Sequence, residues 1–244
     1  MSPQTPHIIK DFDDAIQSLR EDVLRMASQA RLNLERAFRA LTTRDLDLCK
    51  TVIADDNDVD EMERNVDLAG MDILVRFHPV ASDLRMVISS MKVVTNLERI
   101  SDHAVNIAKR AKKMVNRNEC PETKLLEPLA QMANAMLGDA LTAYADRDAE
   151  LGGALFARDK ELDRQHKRVV RSLSELLEEG GTEAEAYLHL IFVARSFERV
   201  GDMAVNIGED AVFLDLARDI RYGFDSLDDD ESEGEEESKG DDQP

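Results

Sequence analysis

The stretch 97–107 reads LERISDHAVNI and the stretch 197–207 reads FERVGDMAVNI, so seven of eleven positions agree at an offset of one hundred residues. The duplication extends well beyond that phrase. Further back the offset becomes 103: TRDLDL at 43–48 matches DRDAEL at 146–151, and DNDVDEME at 56–63 matches DKELDRQH at 159–166. The three-residue change falls where a loop can absorb it. A chain written twice builds one unit twice, and this constrains the fold more than any other feature.

Within each copy, apolar residues recur at helical spacing almost throughout, and punctuation divides the chain into six predicted helices. The first spans about 8–41. The second spans about 46–76 and stops before Pro79, which cannot continue a helix. The third follows Ser82 as N-cap and reaches about 115. The fourth opens near Pro121 and reaches about 144. The fifth follows DRD and ends at Gly180-Gly181; Gly152-Gly153 near its start predicts a late beginning or a kink. Thr182 and Glu185 form a capping box that opens the sixth, which runs to about 217. Trp is absent and only eleven residues are Phe or Tyr, a composition that favours helices over sheets. The expected fold is all-α: two tandem antiparallel three-helix bundles over 1–117 and 118–217, followed by an acidic tail over 218–244.

The formal charge is −20, and residues 225–244 hold eleven acids and one Lys, so half of that charge lies in the tail. A run such as DDDESEGEEES buries too little apolar surface to order itself and reads as a disordered, solvating segment. So acidic a chain is a poor nucleic-acid binder, since that role needs a cationic face. Cys49 and Cys120 lack paired spacing and suit buried thiols in a reducing compartment. The N-terminal residues do not resemble a signal peptide, and no apolar stretch approaches the ~18 residues a bilayer requires. A cytoplasmic location follows as the expectation, with any membrane association peripheral.

In the third helix Val93, Leu97, Ile100, Ala104, Ile107, Ala111 and Met114 alternate spacings of four and three; in the sixth, Leu190, Val193, Phe197, Val200, Ala204, Ile207, Ala211 and Leu214 do the same. Those are bundle seams. At ~100° per residue, Glu98 and Asp102 lie within ~40° of each other and off the seam, as do Glu198 and Asp202. The second helix carries Asp56 and Asp60, with Glu63 and Asp67 on the same stripe; the fifth carries Asp159 and Asp163, with His166 continuing the line. If the stripes face each other, four carboxylates converge in each half. Like charges four apart destabilise a helix unless a cation neutralises them. Oxygen-rich clusters without cysteine suit Mg, Mn or Fe, with Zn possible. The opposing reading is a set of solvated acidic faces on a helical scaffold without metal.

Other residues carry less. Arg99 and Arg199 follow the first acid of each pair and suit a salt bridge to the acid stripe or, as the second choice, contact with an anion. His78 precedes Pro79 in a turn, His103 is replaced by Met203 in the second copy, and His7 and His189 have no partners in sequence. Neither a nucleophile–histidine arrangement nor a Gly-rich phosphate loop emerges.

NLERISDHAVNIAKRA and RSFERVGDMAVNIGEDA, with FHPVASDLRMVISSMK ahead of the first, closely resemble the PhoU family of phosphate-signalling regulators, over about residues 8–216. The resemblance implies two three-helix bundles in one chain and a cytoplasmic negative regulator of the phosphate-starvation response, not an enzyme. It implies an adaptor between the ATPase subunit of a phosphate ABC transporter and a sensor histidine kinase, meeting the membrane only through those partners, and a possible homodimer. It also implies metal ions, in some members multinuclear, with iron foremost and zinc, manganese or magnesium as alternatives. Carried over, the ligands are Asp56, Asp60, Glu98 and Asp102 in one half, and Asp159, Asp163, Glu198 and Asp202 in the other. The acidic tail lies outside the family pattern. A carboxylate-bridged metal oxidase is the rival, yet such sites need Glu-x-x-His pairs facing the bundle interior, and only Asp163-x-x-His166 comes near.

Overall fold

The computed structural model describes residues 5–179, 184–218 and 220, with side chains from residue 10 onward. These residues form α1 (Thr5–Thr43), α2 (Leu46–Ala54), α3 (Asp56–Phe77), α4 (Ala81–Met114), a 3-10 turn (Pro121–Leu126), α5 (Glu127–Asp146), α6 (Ala149–Glu178) and α7 (Ala184–Leu216). No strand occurs among the described residues. The predicted Gly180-Gly181 stop, the Thr182 cap and almost all of the acidic tail lie outside them.

The repeat is visible in the smallest structural details. Arg44 and Arg147 both take a left-handed φ of 56° to turn the chain. The next residue in each copy, Asp45 or Asp148, caps the following helix by accepting 2.9 Å hydrogen bonds from the N–H of Leu48 or Leu151. Helices α1, α2–α3 and α4 pack as one three-helix unit, and α5, α6 and α7 as the other.

Both predicted seams are confirmed. Every residue of each is buried, from Val93 to Met114 in α4 and from Leu190 to Leu214 in α7. Each fully buried Val, Leu, Ile or Phe contributes about 1.5–3 kcal/mol. The two units share this interior: α4 lies along α7, and α1 touches α5. Phe38 of α1 meets the Phe197 ring edge-on at 5.5 Å, and the Ser90 hydroxyl of α4 stands 2.7 Å from the Tyr144 hydroxyl of α5. α4 and α7 run antiparallel. Arg85 donates to the Leu214 carbonyl at one end, and Arg117 pairs with Glu185 at the other.

Four local expectations are corrected. The second rod is interrupted at Asp55, whose carboxylate accepts from Gln29 and Arg36 of α1. That tether pins the chain to a neighbouring helix at one residue. Ser82 is not the cap of α4: Pro79 precedes an extended Val80 (φ −127°, ψ 162°), which is the N-cap, and Ser82 lies inside the first turn. Pro121 opens a 3-10 turn, and it is Pro128 that occupies the first turn of α5. Finally, α6 begins at Ala149 and runs through Gly152-Gly153 without a break. A Cβ on Gly152 would lie 2.6 Å from the Gly208 carbonyl oxygen, and one on Gly208 would lie 2.8 Å from that of Gly152. The pair therefore lets α6 and α7 touch backbone to backbone.

Candidate functional site

The central layer of the molecule runs α3, α4, α7, α6, because α4 packs against both α3 and α7, and α7 against both α4 and α6. Two grooves in this layer bring the predicted acids together. In the first, Glu98 and Asp102 of α4 face α3, where Asp56, Asp60 and Glu63 lie within electrostatic reach. Burial and the nearby carboxylates, Asp102 first, push the Glu98 carboxyl up to about 7. Asp56 is raised by burial, then by Asp102 and Asp60, and is held back by Lys109 and by a hydrogen bond from Ser101. Glu63 is raised chiefly by burial and accepts a hydrogen bond from Thr95.

The second groove repeats this between α6 and α7. Burial, then Asp202, Asp163 and Glu198, push the Asp159 carboxyl up to about 6. Glu198 is raised by burial and by Asp202. Asp159 Oδ1 and Glu198 Oε2 are buried without a hydrogen-bond partner. Glu198 Oε2 has the Arg199 guanidinium 3.4 Å away, whereas Asp159 Oδ1 is left with a desolvation cost that a bound cation would recover. Gly201 admits this approach: a Cβ there would lie 2.1 Å from Leu162 Cδ2 and 3.4 Å from Asp159 Oδ1.

All eight predicted residues thus fall into two equivalent clusters, four in each half, with Glu63 joining the first. The expectation that they stand clear of the interior needs adjusting, since Glu98 and Glu198 are half-buried. Among the described residues, no three His, Cys, Asp or Glu side chains are drawn close enough to grip one ion. Like charges splay apart, and Arg199 is interposed in the second cluster, 2.8 Å from Asp202 and 3.4 Å from Glu198. The donor set suits a hard or borderline cation in its chemistry: carboxylates only, on two rigid helices, with Asp60 and Asp102 exposed and the other six half-buried.

The remaining histidines stay outside the clusters' oxygen set. His103 is half-buried and its Nδ1 has no partner. His189 is buried, with Nδ1 3.4 Å from Arg110 Nη1 and Nε2 3.7 Å from Glu185. Both cysteines are buried, and the Cys120 thiol donates to the Glu122 carboxylate at 3.3 Å. One feature was missed by sequence reasoning: a third groove, between α4 and α7, lined at one end by Arg110, Arg195 and Arg199. The run KRAKKMVNR was a visible basic signal, but only the long-range α4–α7 contact sets its Arg110 beside Arg195 and Arg199. No helix among the described residues is long and apolar enough to cross a membrane.

The PhoU domain matches this chain twice, over residues 23–111 and 126–211. A phosphate-specific transport system accessory protein PhoU homolog from Pseudomonas putida is 35% identical over 219 residues, covering 89% of this chain and 86% of that protein. The phosphate-specific transport system accessory protein PhoU of Escherichia coli (strain K12) is 34% identical over 223 residues, 91% of this chain and 92% of that one. The crystal structure of PhoU from Pseudomonas aeruginosa matches with a TM-score of 0.82 at 33% identity, covering 85% of this chain and all of the other.

Proposed function

The chain belongs to the PhoU family, and from that premise we propose that it is an accessory protein of a phosphate transport system and a negative regulator of the phosphate-starvation response. It acts on the cytoplasmic side of the membrane as an adaptor between the transporter's ATPase subunit and a sensor histidine kinase. Its rigid six-rod body is a surface for partners, and the two acid clusters are metal sites that shape that surface. The observation that carries the metal reading is the twofold repetition of facing carboxylate rows, each with a half-buried acid at its centre, Glu98 up to about 7 and Asp159 up to about 6.

Asp56, Asp60, Glu98 and Asp102 would hold ions in one half, and Asp159, Asp163, Glu198 and Asp202 in the other. A bound cation supplies neutralisation of the repulsion between the two rows. The chain's own residues do the rest. α3 and α4, or α6 and α7, fix the spacing of the rows, Ser101 orients Asp56, and Arg199 holds Asp202 and Glu198 until displaced. Regulation is favoured over oxidase catalysis because the carboxylates sit in grooves between helices rather than facing the bundle interior. Deleting the gene and assaying alkaline phosphatase in phosphate-replete medium tests the regulatory role. Derepressed phosphatase is expected, and unchanged repression would reject it.

A further inference from the structure

In a chain of net charge −20, residues 103–118 of the α4 region contain Lys109, Arg110, Lys112, Lys113 and Arg117 and no Asp or Glu. Arg110 lines the α4/α7 groove with Arg195 and Arg199 of α7, and Lys109, Lys112 and Lys113 rim an adjoining hollow beside Ile53 of α2. Two hollows of about 590 and 350 Å³ adjoin there and share Asn106 and Arg110. Lys109, Lys112 and Lys113 rim the first, while Arg195 and Arg199 rim the second. Arg117 and Arg199 beside these hollows are already paired, with Glu185 and Asp202, as Lys92 is with Asp210. Lys109, Arg110, Lys112, Lys113 and Arg195 stand in no ion pair among the described residues. Arg110 instead stacks 4.2 Å from the Phe192 ring centre, which holds the guanidinium flat and leaves N–H groups to an incoming anion.

Lys109 lies within electrostatic reach of Asp56 and Arg195 of Glu198, but five cations stand against those two acids, and the surplus repels itself unless an anion covers it. The protein's overall negative charge works against an anionic lipid surface or a nucleic acid as the cover. A tethered anion meets no such barrier, and this chain carries one in the net −10 of residues 225–244. We propose that the acidic segment 225–242 docks in the α4/α7 groove against Arg110 and Arg195 and continues over the adjoining hollow against Lys109, Lys112 and Lys113. Reach permits it. From Leu216, the end of α7, Arg195 lies about 31 Å back along the helix at 1.5 Å per residue. A chain leaving Ile220 spans up to about 56 Å by Glu237. Docked there, the segment is a built-in competitor for any acidic partner segment that uses this groove.

The test measures anisotropy of a labelled synthetic peptide of residues 225–242 added to the full chain and to the chain truncated after Ile220. The truncated chain is expected to bind at least about tenfold more tightly, because a tethered segment at roughly millimolar effective concentration already fills the groove of the full chain. Binding should weaken as salt rises. It should be lost in the truncated chain carrying Lys109→Glu, Lys112→Glu and Lys113→Glu, and be weakened by Arg195→Glu on the other helix. Circular dichroism checks that these exposed substitutions leave the helices intact. Three outcomes would overturn the proposal: equal peptide binding by both chains, undiminished binding by both charge-reversed variants, or a truncated chain that prefers phosphatidylglycerol vesicles to the peptide.

Discussion

Glu98 and Asp159 hold carboxyls pushed up to about 7 and about 6, each by burial first and by neighbouring carboxylates second. A raised pKa means that ionisation is costlier in the folded chain than in the unfolded one. That cost is absent where both states are protonated, is acquired as pH rises from the ordinary carboxylate range through the folded pKa, and is complete above it. Chelator-treated protein should therefore gain thermal stability as pH falls from about 8 to about 5, and Glu98→Gln should raise Tm at the upper end and flatten the profile. Scanning Tm against pH in EDTA checks this; a Tm that falls steadily across the same interval would contradict it. The positions of these acids were legible from four-residue spacing. Their burial was not, because it depends on how closely α3 approaches α4 and how closely Gly201 lets α6 approach α7.

Helix against helix, the glycine pair in α6 separates two effects that sequence alone confounds. Gly152 and Gly153 have the same intrinsic cost in a helix, about 1 kcal/mol each against Ala. Gly152 faces the Gly208 carbonyl, whereas nothing lies within 4 Å of a Cβ on Gly153. Gly152→Ala should destabilise by about 1–3 kcal/mol through overpacking against backbone that cannot yield. Gly153→Ala should stabilise by up to about 1 kcal/mol. Urea titration of the two variants measures both, and equal effects would disprove the close α6–α7 approach. The seams of α4 and α7 were readable because 3.6-residue periodicity is local. The break at Asp55 and the start of α4 at Ala81 were not, since Arg36 on another helix tethers the first and an extended Val80 sets the second. A sequence equivalent, Ser82/Thr182, pointed to the wrong residue in the one copy where the structure describes it.

Across the whole molecule, two repeats share one interior, yet each keeps its own acid cluster at its outer helix pair. Glu98→Ala with Asp102→Ala should empty the first cluster of metal and leave the helices formed, because neither side chain belongs to the buried seam. Circular dichroism of the metal-free double variant should match that of the metal-free parent. The twofold organisation could be read from the doubled phrase. The fusion of both units along α4 and α7, with the cationic groove it creates, could not, because contacts a hundred residues apart leave no periodic trace.

The most direct test of the central claim is elemental analysis of untagged protein, run beside Glu98→Ala/Asp102→Ala and Glu198→Ala/Asp202→Ala. The account predicts at least about one hard or borderline metal ion per chain in the parent, and a partial loss in each double variant. It also predicts complete loss when the two are combined. Metal content well below one ion per chain, or content unchanged when all four carboxylates are removed, would contradict it.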